Sequence, residues 1–129
     1  MKGFVDDIEK LTEENQDYRR VLYTGKHLQL VLMTLQPGEE VGDEVHETHD
    51  QFFRFEAGAG EVTIDGTKNP VEADDAVIVP AGARHNVVNT GKAPLKFYTL
   101  YGPPEHRRDV REPTKADERE EHFDGKTTE

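Results

Sequence analysis

The chain has 129 residues, 33% of them apolar and 33% charged, with 16 basic against 27 acidic side chains and a net charge of −11. That length suits one domain around one compact core, and so acidic a surface should repel nucleic acid and anionic membranes. There is no cysteine, which excludes disulfides, thiolate metal sites and cysteine nucleophiles.

The start of the chain, MKGFVDDIEKL, lacks the apolar stretch of a signal peptide. No run approaches the roughly 18 apolar residues of a membrane helix, so the expectation is a cytoplasmic protein without a membrane partner. Phe4, Ile8 and Leu11 fall at i, i+4 and i+7 among acidic residues, which predicts a short amphipathic helix in an N-terminal arm, residues 1–17. From Tyr18 the pattern turns to strands. Tyr18 to Thr24 and Leu28 to Leu35 are rich in Val, Leu, Tyr and Thr around Gly25-Lys26. The second run is apolar on nearly both faces, which places it mid-fold, and Pro37-Gly38 ends it.

Short strands follow at even spacing: Phe52 to Glu56, Glu61 to Asp65, a short one around Val71, Ala76 to Val79, His85 to Asn89 and Leu95 to Tyr101. Gly- and Pro-rich turns separate them, which predicts an all-β barrel or sandwich over residues 18–104. Residues 105–129 are dominated by charge, with little core material beyond Val110 and Phe123. They read as a mobile or surface-wrapped tail.

The chemistry lies between residues 38 and 89. Glu44 and His46 are two apart, so on a strand they share a face. Facing into a barrel, an acid and an imidazole are costly without a partner, and a metal ion is the simplest one. Gln51 follows at the wrong parity, so Glu47 to Asp50 must form a turn or bulge that resets the register. Gln51 then points inward with Phe53 and Phe55, and Arg54 and Glu56 point outward. Further on, His85, Val87 and Asn89 share a face, just after the Pro80-Ala81-Gly82 turn.

The spacing Gly38-x5-Glu44-x-His46-x4-Gln51-x6-Gly58, followed by Asp74-x5-Pro80-x-Gly82-x2-His85-x3-Asn89, resembles the two motifs of the cupin superfamily. The likeness covers Leu28 to Tyr101 and points to small single-domain bacterial cupins. Three positions depart from the pattern. Glu44 stands for the first motif histidine, Gln51 for the motif glutamate and Asp74 for the first glycine of the second motif.

The resemblance implies a cupin-type β-barrel, the double-stranded β-helix or jelly roll, with a short N-terminal helix and a charged C-terminal tail. It implies one divalent transition ion, Fe, Mn, Ni or Zn, on Glu44, His46, Gln51 and His85, and such a mixed N/O set suits these ions. Gln51 is either a neutral oxygen ligand or a hydrogen-bonding neighbour. Since an amide cannot act as a base, Glu44 or His49 is the candidate catalytic base. His49 otherwise reads as a solvated loop residue.

Arg84 either holds a substrate carboxylate or pairs with a surface acid, while Phe53, Phe55 and Tyr101 supply core and some pocket wall. His27, His106 and His122 read as surface residues, with His106, in the phrase PPEH, alternatively folding over the barrel mouth. The expected function is a metal-dependent enzyme acting on a small polar or anionic molecule by isomerase, lyase or oxygenase chemistry. The alternatives are a non-catalytic ligand-binding cupin and a metal-free interaction module. Homodimers are common among small cupins, and Phe4, Ile8 and Phe52 are the contact residues that habit suggests.

Overall fold

The computed structural model describes residues 1–129. One helix, α1 (Ile8–Glu14), precedes the strands. Asp7 caps it by accepting from the Lys10 N–H, so the helix starts after Phe4 instead of including it. Phe4 packs on Tyr23 instead, with ring centroids 6.3 Å apart.

Ten strands follow: β1 (Arg19–Thr24), β2 (Gln29–Leu35), β3 (Glu44–Val45), β4 (Asp50–Ala57), β5 (Ala59–Ile64), β6 (Thr67–Glu72), β7 (Ala76–Val79), β8 (Arg84–Val88), β9 (Leu95–Gly102) and β10 (Arg111–Glu112). They form two antiparallel sheets, in the orders β10-β1-β2-β9-β4-β7 and β3-β8-β5-β6. The all-β jelly roll expected from the sequence is the architecture observed.

The apolar run of β2 is buried at every position because it lies inside the larger sheet, between β1 and β9. The core fills the space between the sheets with Phe53, Phe55, Phe97, Val62, Val87 and Leu95 among its members. Burying these faces is the main term holding the sandwich together, at about 25 cal/mol per Å² of apolar surface.

Two turn positions fix how the strands meet. Gly58 has φ +88°, and a Cβ there would lie 2.5 Å from the Pro94 carbonyl oxygen, so only glycine fits the corner between β4 and β5. Asp74, at the motif's glycine position, has φ +76°, a region that Asp and Asn tolerate better than most residues.

The two motifs are tied together directly. Asn89 is 1% exposed, and its Nδ2 donates to the Leu35 and Ala93 carbonyls. The Gly38 N–H donates to the Asn89 carbonyl, and the Gly82 N–H to that of His46.

Residues 105–129 lie along the barrel. The short β10 extends the larger sheet against β1. Arg19, beneath it, is buried and ion-paired to Glu112 at 2.8 Å and Glu118 at 3.2 Å. No helix is long and apolar enough to cross a membrane.

Candidate metal centre

Glu44 on β3 stands directly opposite His85 on β8, and Val45 opposite Arg84. Directly opposed residues share a face of the sheet, so Glu44 and His85 project together. His46 follows one residue past β3 and closes the group. Ligand atoms of Glu44, His46 and His85 all lie within 4.8 Å of one another. The His46 and His85 rings are 5.3 Å apart between centroids.

Hydrogen bonding decides which ring atoms are free. His85 Nδ1 lies 3.1 Å from the Ala83 carbonyl, which can only accept. Nδ1 therefore carries the proton, and Nε2 keeps its lone pair. His46 Nε2 lies 2.9 Å from Glu44 Oε2 but is not aligned for a hydrogen bond and has no other partner. Gln51, 4% exposed, donates through Nε2 to Thr99 Oγ1 at 3.0 Å, while its buried Oε1 has no partner.

An orphaned acceptor such as Gln51 Oε1 is costly inside a fold. Imidazole nitrogen, carboxylate and amide oxygen are also the donor set that a divalent transition ion accepts. The residues present therefore fit a metal. Burial pulls the His46 imidazole down, but the Glu44 and Glu105 carboxylates outweigh it and raise its pKa.

The remaining expected residues divide. Tyr101 packs edge-on to His46 at 5.8 Å, and burial raises its phenol pKa. Phe53 meets the edge of His85 at 6.4 Å. Phe55 packs on Phe97 at 5.2 Å, inside the core. His49 lies beside His46, with centroids 5.8 Å apart, but both its nitrogens are engaged. Nε2 donates to the Pro104 carbonyl at 3.0 Å, and Nδ1 accepts from the Thr48 hydroxyl at 3.1 Å.

Arg84 does not join the group. Strand alternation turns it away from His85, and its guanidinium, 64% exposed, pairs with Asp43 at 3.0 Å.

A cavity of about 470 Å³ opens beside the cluster, walled on one side by Val41 to His46 and on the other by Glu105, His106 and Glu118 to His122. The C-terminal wall was missed in the sequence, and so was Arg19 at its base. His106 is a correction to its reading as a surface residue. It is partly buried, its ring packs edge-on to Tyr101 at 5.2 Å, and burial, reinforced by Arg19, pushes it down to about 2. Only the phrase Pro103-Pro104-Glu105-His106, right after the last barrel strand, hinted that the chain turns back over the mouth.

A family model described as a cupin domain matches residues 31–101. The chain belongs to the cupin family. Among curated proteins, this cupin is 45% identical over 122 residues to the uncharacterized protein YrkC of Bacillus subtilis, a match that covers 90% of this chain and 66% of YrkC. It is 36% identical to the uncharacterized protein L612 of Acanthamoeba polyphaga mimivirus, over 85% of this chain and 73% of that one. The crystal structure of BH2720 from Bacillus halodurans superposes with a TM-score of 0.88 at 43% identity, covering 90% of this chain and 92% of the other.

Proposed function

We propose that this cupin holds one divalent transition ion, Fe, Mn, Ni or Zn, on Glu44, His46 and His85, with Gln51 as a neutral oxygen donor. We further propose that it is an enzyme acting on a small polar or anionic molecule by isomerase, lyase or oxygenase chemistry. The observation that carries this is the convergence of ligand atoms of Glu44, His46 and His85 to within 4.8 Å of one another, with His46 Nε2 2.9 Å from Glu44 Oε2. When bound, a divalent ion supplies Lewis acidity to a substrate oxygen.

The chain's own residues supply the surroundings. The cavity of about 470 Å³ lies in the range of about 300–1,000 Å³ typical of small-molecule sites. Tyr101, its phenol kept protonated by burial, supports the His46 ring from one side. Glu44, Glu105, Glu118, Glu120 and Glu121 line the cavity. Within the proposed class they favour a neutral polar molecule, or one with a single negative charge, over a polyanion.

Metal-loaded protein is tested for oxygen uptake and for turnover of small hydroxy acids and sugars. Turnover that disappears in His85→Ala supports the enzyme. One observation favours the binding-only alternative: Gln51 places an amide where the family motif has a carboxylate. A tightly retained small molecule with no turnover in the metal-loaded protein would establish that alternative and remove the enzyme.

Assembly as a homodimer is part of this reading. Phe52 and the exposed Ile78 are directly opposed on the outer face of the larger sheet. Light scattering that reports only a single-chain mass removes it.

A further inference from the structure

We propose that Glu105, delivered from outside both motifs, is the positioning carboxylate of the metal centre. It engages the Nδ1 side of His46 and holds that ring with Nε2 turned toward Glu44 and His85. This inference rests on the metal reading above.

Glu105 Oε2 lies 3.6 Å from His46 Nδ1, a charge contact longer than a hydrogen bond, and 3.3 Å from His49 Nε2. Its Oε1 lies 3.3 Å from His122 Nδ1. The side chain is 13% exposed, so a carboxylate stands largely out of water among three imidazoles. On the far side of the His46 ring, Nε2 faces Glu44. Both carboxylates only accept, so with an ion held between Glu44 and Nε2 the single N–H of a neutral His46 falls on Nδ1, toward Glu105. Orientation of a ligand histidine by a carboxylate on its other nitrogen is the usual way a protein fixes tautomer and ring direction at a metal.

The placement of Glu105 is built in. Gln29 is completely buried, and its Oε1 accepts from the backbone N–H groups of both Glu105 and His106, at 3.1 and 3.0 Å. Gln29 Nε2 donates back to the His106 carbonyl at 2.7 Å. On the other side, the Phe123 N–H donates to the Glu105 carbonyl at 2.9 Å. A chain with an amide at position 51 thus gains a carboxylate at the centre from the segment that follows the last barrel strand.

Titration of Co²⁺ into metal-free protein tests the assignment, with affinity and the visible Co²⁺ spectrum as readouts. Glu105→Gln is expected to weaken binding about 10- to 100-fold. Glu105→Asp should retain more affinity than Glu105→Gln, and Glu105→Gln should add nothing in a His46→Ala background. Wild-type affinity in Glu105→Gln, with binding lost in His85→Ala, overturns the proposal and leaves the metal site standing. An equal loss from Glu105→Gln with and without His46 also overturns it, because the effect is then structural. A wild-type protein that takes up no Co²⁺ overturns the metal reading and the role of Glu105 together.

Discussion

Gln51 carries the largest chemical departure from the family motif, and its surroundings explain the amide. Thr99 Oγ1 donates to the Phe52 carbonyl at 2.8 Å, so toward Gln51 it can only accept, and the Gln51 Nε2–H supplies that bond. A carboxylate here would set acceptor against acceptor in a buried site. Gln51→Glu is therefore expected to destabilise the metal-free protein by about 1–3 kcal/mol, the cost of an unmet buried group. It should recover part of that loss with a divalent ion present, because the new charge favours the cation. Denaturant unfolding with and without the ion measures both. A variant equally stable in both conditions would show that position 51 does not face the ion.

At the scale of elements, the Asp74 turn between β6 and β7 tests how much backbone conformation matters. Its φ is +76°, its N–H donates to the Phe55 carbonyl, and its carboxylate accepts from Arg54 at 3.0 Å. Asp74→Val should cost about 1–2 kcal/mol from left-handed strain. Asp74→Gly should stay close to wild type, since relief of strain offsets the lost ion pair and the added freedom of the unfolded chain. Thermal unfolding of the two variants separates them, and equal losses would mean the Arg54 contact matters more than the backbone.

Turns of this kind, with period-2 patterning, are why the barrel was legible in the sequence. Gln51, Phe53 and Phe55 alternate inward as their spacing required once Glu47 to Asp50 reset the register. The same parity that turns His85 inward turns Arg84 outward. The C-terminal wall of the cavity was not legible, because its placement depends on Gln29 bonding residues 76 and 77 positions away. No local pattern encodes such a contact. Nor could composition show that Glu112 would bury its charge against Arg19, or that the more exposed Glu118 would pair with the same guanidinium.

Across the whole molecule, this segment ties the acid-rich surface to the barrel and gives stability a pH dependence. Burial raises the Glu118 carboxyl, but Lys115, the Tyr18 hydroxyl and Arg19 outweigh it and hold its pKa below the ordinary 4.5. A depressed carboxylate contributes stability fully above its unfolded value and loses it as pH falls through its folded one. Glu118→Gln should therefore be less stable than wild type at neutral pH, by no more than about 1 kcal/mol for a partly exposed group. The gap should close below pH 4.5. Unfolding curves at several pH values check this, and a gap that does not change with pH contradicts it.

The account as a whole stands on Glu44, His46 and His85 acting as ligands. Elemental analysis of untagged protein, beside Glu44→Ala/His46→Ala, tests that most directly. The account predicts close to one Fe, Mn, Ni or Zn ion per wild-type chain and almost none in the double variant. A wild type that carries no ion even after reloading, or a double variant that retains its ion, would contradict it.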